Sequence, residues 1–391
     1  MKRYIEKIKR YNIDVIILII LMTSLLSFLT YLNSGDELWN FANCYKMFNG
    51  YKIYKELNVI ITPLFFYIAQ IFFKLFGATM FTFRIYNIII FLTFFMLIYY
   101  IFRELKIVRR RSVFYILLLI FIFNGMIVGG ANYNILVLIP ILINILLTLK
   151  EKENNIVTGL LLFITFMTKQ NVFVLFAIGI LVYKFLTRKT FKQFVISLIK
   201  TYSIAIIGIG LFLLYMYLDN NLYYLIDYCF LGIKEFGTNN TFFDITESRY
   251  TWISLGITVF LLFIINNKKT NKNIEKKVTK NSKMLLCFAI PLLITQYPIA
   301  NHYHSVIANL LIIISFIYVI EKVLIQELEI KRKREKIVYF ILIILYFLYL
   351  SYFIITDIAE KNKRYNIIKY KRGIFWNYCT KKWYWGYTNN I

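Results

Sequence analysis

The chain has 391 residues, 60% of them hydrophobic and 19% aromatic, with a mean hydropathy of +0.64 and a formal net charge of +26. No water-soluble fold buries that much apolar surface, and several runs approach the ~20 residues that cross a bilayer, so an all-α polytopic membrane protein is expected. A transmembrane β-barrel is excluded, because its strands would alternate in polarity over roughly 10 residues instead of running continuously apolar. No nucleic-acid partner is expected, because the Lys and Arg residues gather in the connections between spans, where membrane topology collects them. Cys44, Cys229, Cys287 and Cys379 show no metal-ligand spacing.

Residues 1–12 carry Lys2, Arg3, Lys7, Lys9 and Arg10, which hold that end in the cytoplasm. The apolar run that follows, residues 13–32, lacks a small-residue cleavage site and reads as an uncleaved first span. It delivers the adjacent acids Asp36 and Glu37 to the outside. Ser34-x-x-Glu37 fits a helix capping box and Gly50 a helix stop, so these acids suit either a dipole-stabilised first turn or a reactive pair. The next apolar piece, residues 63–76, is too short to cross comfortably. Tyr67, Gln70 and Lys74 share one face of it, the pattern of a helix lying in the interface and ended by Gly77. If this piece crossed, the basic run Arg103, Lys106, Arg109, Arg110 and Arg111 would stand outside; lying flat, it lets span two, residues 81–102, bring that run inside.

Span three covers residues 113–129, and Gly130-Ala-Asn-Tyr-Asn134 forms an outer turn. Span four runs to Leu149, residues 150–155 are inside, and a short span five, 156–168, ends outside at Lys169-Gln-Asn171. Span six returns to Arg188, Lys189 and Lys192, and span seven ends near Leu218, followed by a long outer loop, 219–249. Span eight covers 250–265, and 268–283 is a cationic inner loop. Span nine ends outside at Gln296-Tyr-Pro-Ile-Ala-Asn-His-Tyr-His304, span ten leads to an inner segment, 321–336, and span eleven is 337–353. The expected plan is about eleven crossings: a transmembrane domain over 1–355, interfacial helices in its first external loop (33–80), and a basic, aromatic tail over 356–391 outside. An external cationic tail breaks the charge pattern of the other loops, so either the last span is misread or the tail meets anionic lipid or a phosphate-bearing ligand, the reading preferred here.

The spans are nearly free of charge, and no matched pair of broken helices marks a transport path. Polar groups collect on the outer side instead: Asp36, Glu37, Arg84, Lys169, Asp244, Glu247, Arg249, His302 and His304. A carboxylate among cations at a membrane surface suits chemistry on a lipid phosphate, the acid acting as base or acceptor-positioning group while the cations hold the phosphate. Plainer readings stand beside this one. Arg84 suits a snorkelling residue, the histidines a polar turn, and the loop charges simple solvation. Lys169 stands apart, since a turn between two short apolar runs needs a reason for its charge.

The order of the motifs resembles a known family. A first span leads to Asp36-Glu37, then Gly50-Tyr51-x-x-Tyr54, Pro63-Leu64-x-x-Tyr67, Leu75-Phe-Gly77 and Arg84 opening the next span. This resembles the N-terminal module of GT-C glycosyltransferases, and more closely the protein O-mannosyltransferase-like branch that includes the lipid A aminoarabinose transferases. Thr168-Lys-Gln-Asn171 after a short span, and Tyr297-Pro298 ahead of His304, resemble the same branch. The pattern is strongest over residues 30–105, patchy to about 310 and absent from the tail.

The resemblance implies a multi-span enzyme of the plasma membrane with its active site on the outer face. Such enzymes take a sugar from a polyprenyl-phosphate carrier and give it to a lipid, glycan or protein acceptor of the cell envelope. By position, Asp36 would place or deprotonate the acceptor hydroxyl, with Glu37 assisting. Lys169, Arg84, His302 and His304 would hold the donor phosphate, and Arg249 and Tyr67 would stand on the acceptor side. Thr62 stands where many relatives have Pro or Lys ahead of proline, and Asn301 where an acid is expected near the late histidine. No metal is required by the sequence, and a divalent cation stays open. Two rivals are an envelope polysaccharide polymerase or ligase, relying on outer Arg and His, and an export permease, which needs charges facing a central cavity.

Overall fold

The computed structural model describes residues 12–29, 35–123, 132–232, 245–266, 276–297 and 302–322. Over these residues the chain is helical: α1 (Ile13–Leu29), α2 (Gly35–Phe48), α3 (Leu64–Phe76), α4 (Met80–Glu104), α5 (Arg109–Ile122), α6 (Tyr133–Leu136), α7 (Leu138–Leu149), α8 (Asn155–Thr168), α9 (Gln170–Thr187), α10 (Phe191–Leu218), α11 (Leu222–Ile226), α12 (Ile245–Asn266), α13 (Lys276–Leu292) and α14 (His302–Val319). Among the described residues, Met80–Glu104, Gln170–Thr187, Phe191–Leu218 and Val278–Gln296 are long and apolar enough to cross a membrane, with shorter apolar helices beside them. The molecule is an all-α polytopic membrane protein. Within its most apolar window α4 is 67% buried and α10 only 11%, so α4 forms the interior and α10 a lipid-facing wall. The expected span at 337–353, the tail at 356–391, Ser34, Asp244 and Asn301 lie outside the described residues.

Ion pairs fix which helix ends lie together. Arg109 holds Asp14 at 2.5 Å, Lys150 approaches Glu104 at 4.0 Å, Lys280 meets Glu151 and Lys184 meets Glu153 each at 3.4 Å, and Arg111 pairs with Glu321. The start of α1, the end of α4, the start of α5, the α7–α8 connection, the end of α9, the start of α13 and the end of α14 therefore share one basic end. Between Asp14 and Arg109 the chain returns to the end it left, through α1 and α4. Helix α3 does not carry it across. The start of α3 is tied to the far end of α8, where Thr62 Oγ1 donates to the Phe166 carbonyl at 2.5 Å. Its other end is tied to the start of α4, where Thr82 Oγ1 donates to the Phe76 carbonyl at 3.3 Å.

Three expectations are corrected. The long loop at 219–249 contains α11, which continues as a turn of π-helix over Asp227–Leu231, because Leu225 and Cys229 give that segment an apolar face to bury. Glu247 and Arg249 belong to α12. The cationic segment 268–283 becomes helical from Lys276, where it joins the apolar run of α13. His302 and His304 open α14 rather than lie in a turn, since no Gly or Pro separates them from the apolar residues that follow.

Two local features shape the far end. Helix α2 stops at Gly50, whose φ of +95 only glycine adopts cheaply, with Tyr51 N–H reaching the Lys46 carbonyl at 3.2 Å and Gly50 N–H the Met47 carbonyl at 3.1 Å. Tyr54 is left-handed too (φ +66), a conformation costing roughly 1–2 kcal/mol in a side-chain-bearing residue. It is held there by full burial and by its hydroxyl, which donates to the Ile61 carbonyl at 3.0 Å.

Candidate active site

The site is built around the turn between α8 and α9. Helix α8 has 14 residues, so it is about 21 Å long, half the length of α10 beside it. The start of α8 lies beside the first half of α10: Thr201 Oγ1, ten residues past Phe191, donates to Asn155 Oδ1 at 3.3 Å, and Gly159 packs so closely that a Cβ there would lie 2.5 Å from the Thr201 carbonyl oxygen. Near the other end Phe166 meets Phe212 with ring centroids 6.2 Å apart. Helix α10 then continues to Leu218, about 9 Å further. The turn at Lys169 is therefore sunk below the rim of the bundle.

Over it lies the segment between α2 and α4. The Gln170 side-chain amide donates to the Ile60 carbonyl at 3.0 Å and to the Cys229 carbonyl at 2.7 Å, tying the loop and the π-turn to the lysine turn. The Asn221 amide donates to the Ile53 carbonyl at 2.7 Å, and Lys52 bridges to Asp219 at 2.6 Å. Thr62, the departure from the family pattern, caps a carbonyl at the end of α8, one of the groups a helix terminus leaves without an internal partner.

Lys169 adopts an extended backbone (φ −160, ψ 110) that ends α8 and begins α9. Its side chain is buried, and its ammonium donates to Asn134 Oδ1 at 2.7 Å and lies 5.6 Å from the centroid of the Tyr133 ring. His304 is within its electrostatic reach. Among the described residues no carboxylate pairs with Lys169, and burial alone pushes its ammonium down to about 7. Two positions before Asn134, the Asn132 side chain is fully buried with neither its oxygen nor its nitrogen hydrogen-bonded. Gln170 Oε1 is likewise buried without a partner. Leaving such groups unsatisfied costs about 1–3 kcal/mol each, which a ligand rich in hydroxyls would recover.

The acid pair occupies the first turn of α2. Glu37 is buried, and its two oxygens accept from Arg84 Nε at 2.8 Å and Nη2 at 3.1 Å. Arg84, expected on the donor phosphate, is thus engaged by Glu37, and the two act as a unit. Asp36, one residue earlier, is exposed. A packed path joins this unit to the lysine turn: Phe83 and Tyr86 on α4 meet Phe65 with centroids at 6.1 and 5.3 Å, and Phe65 meets Tyr133 at 6.1 Å. Tyr86 also donates to the Phe65 carbonyl at 3.0 Å. Tyr67 is half-buried on α3 within electrostatic reach of Tyr215 and Asp219, so it faces the segment that follows α10.

Sequence reasoning passed over Asn132 and Asn134, reading them only as a turn. The signal was present: amide side chains between two apolar runs, at the same end as Lys169. Among the described residues no three His, Cys, Asp or Glu side chains gather as a metal-binding group. What the site offers a ligand is one buried cation, unsatisfied amides and, on the connected α2 turn, an exposed carboxylate. Residues 61–231 match the family model of dolichyl-phosphate-mannose-protein mannosyltransferases, a span that includes Arg84, Asn132, Asn134 and Lys169 and begins after Asp36 and Glu37. No curated protein and no solved structure matches the chain. The family match supports a glycosyltransferase of the GT-C superfamily that uses a lipid-linked sugar donor.

Proposed function

We propose, from the premise of a GT-C glycosyltransferase, that this protein moves a sugar from a polyprenyl-phosphate carrier to a cell-envelope lipid, glycan or protein on the extracytoplasmic face of the plasma membrane. The observation that carries the reading is Lys169: a buried cation with no acid partner among the described residues, in a sunken turn roofed by the segment between α2 and α4. A phosphodiester supplies the missing negative charge.

In this reading the acceptor hydroxyl oxygen attacks the anomeric carbon of the sugar, and the bond from that carbon to the phosphate oxygen breaks. The acceptor proton passes to the Asp36 carboxylate, and the polyprenyl phosphate leaves with one more negative charge than it brought. The Lys169 ammonium stabilises that developing charge in a water-poor setting, where such an interaction is strongest. Unsatisfied amides at Asn132 and Gln170 give the sugar hydroxyls partners. The Glu37–Arg84 pair fixes the α2 turn that presents Asp36, and Tyr67 and Arg249 stand on the acceptor side. His304 flanks Lys169, and His302 opens the same helix.

The test is transfer from a labelled polyprenyl-phosphate sugar by the purified Asp36→Asn variant. A carboxylate acting as base is worth roughly 10²-fold or more, and that loss is expected. Transfer at a near wild-type rate by this variant would remove Asp36 from the mechanism.

A further inference from the structure

At the basic end, opposite the lysine turn, the ends of α8, α9 and α10 enclose a second pocket of about 390 Å³. Its lining includes Glu153, Lys184, Arg188, Lys189, Gln193 and Ser197. Lys184 is buried and fully engaged, donating to Asn155 Oδ1 and Ser197 Oγ at 2.6 Å each and facing Glu153 at 3.4 Å. Glu153 offsets that one charge. Arg188 and Lys189 have no acid partner among the described residues, so the pocket carries an uncompensated positive charge.

Arg188 is also held in place. Its guanidinium lies 3.4 Å from the centroid of Phe185 and 5.8 Å from that of Phe194, two rings that themselves meet edge-on at 5.6 Å. Stacking orients the plane of the guanidinium and leaves its N–H groups for a ligand. Helix α10 starts at the same place, with Thr190 Oγ1 accepting from Gln193 N–H at 3.2 Å, and its dipole adds to the positive field. Phe185, Leu186 and Phe191 stand exposed around the opening, an apolar rim of the kind that lies among acyl chains. A cationic, hydrogen-bonding cavity with a lipid-facing rim matches one ligand chemistry.

We infer that this pocket binds the phosphodiester headgroup of an anionic phospholipid, gripped by Arg188 and Lys189 with Gln193 and seated on the start of α10. The inference does not rest on the glycosyltransferase reading, because the pocket lies at the other end of the molecule and takes no part in transfer.

The test uses the full chain in phosphatidylcholine nanodiscs doped with phosphatidylglycerol carrying a photoreactive headgroup, with labelled peptides mapped by mass spectrometry. Labelling is expected on peptides covering residues 184–197 and should fall about 25-fold in the double variant Arg188→Gln/Lys189→Gln, at roughly fivefold for each cation near an anionic surface. Lys200→Gln, an exposed lysine of α10 outside the pocket, should leave it unchanged. Competition by glycerol phosphate separates two sources. No competition supports the lipid, whereas loss of label at millimolar glycerol phosphate assigns the pocket to a soluble phosphoester and overturns the lipid assignment. Labelling that survives the double variant, or falls equally with Lys200→Gln, overturns the site itself.

Discussion

Two lysines sit at opposite ends of the α8–α9 hairpin, and both are 6% exposed. Lys184, near the basic end, spends its ammonium on Asn155, Ser197 and the Glu153 carboxylate. Lys169, at the far end, has one amide oxygen and the face of a tyrosine among the described residues. Removing a cation from water is costly unless a counter-charge and hydrogen bonds replace the water. The fold meets that requirement at Lys184 and leaves it half met at Lys169. Burial of a lysine is therefore not the mark of function here; the lack of a counter-charge among the described residues is.

The comparison breaks most visibly under substitution. Lys169→Met should lower transfer by about 10²–10³-fold, the effect of removing one preorganised group that stabilises developing charge. Lys184→Met should change transfer less than about tenfold, the two ends of the hairpin being about 21 Å apart. Rates with a labelled donor check both, and the reverse pattern would show that the wrong lysine has been assigned to the phosphate.

The Glu37–Arg84 pair sharpens the contrast, because there the counter-charge is present. Glu37→Gln breaks this largely buried ion pair and should cost about 3–5 kcal/mol of stability, measured by denaturant titration. The double variant Glu37→Gln/Arg84→Met should recover most of that stability, and activity should stay low because the turn bearing Asp36 has lost its anchor. Asn132→Leu is the smallest expected effect and has the opposite sign. Removing an unsatisfied amide should leave stability equal or slightly raised, while the donor KM rises about tenfold for one lost hydrogen bond to the sugar.

The helical plan was largely legible, because continuous apolar runs and Gly stops are local features. Helix α8 and the break at Lys169 fell where the short apolar run ended, and the apolar piece after Pro63 was recognised as too short to cross. The histidines were placed in the outer turn that closes span nine, while the helix begins at His302 itself. Pairing was not legible. Nothing in the spacing of Glu37 and Arg84 reveals that they bind each other across 47 positions, and Arg84 therefore read as a free cation. Asn132 was hidden for the same reason: an unsatisfied amide is a property of its surroundings, and only the packed turn shows that both its polar atoms lack partners.

The most direct measurement of the central claim is the pH dependence of kcat/KM for the polyprenyl-phosphate donor. Burial lowers Lys169 to about 7, so the free enzyme holds the charged form below that value and loses it above. A phosphodiester donor stays singly ionised through this range, so kcat/KM should fall about tenfold per pH unit above pH ~7. The same limb should vanish in Lys169→Arg, whose charge persists beyond pH 12, while His304 remains in place. A profile flat from pH 6 to roughly 9 in the wild-type enzyme, or a limb that survives in Lys169→Arg, would contradict the assignment of Lys169 to the donor phosphate.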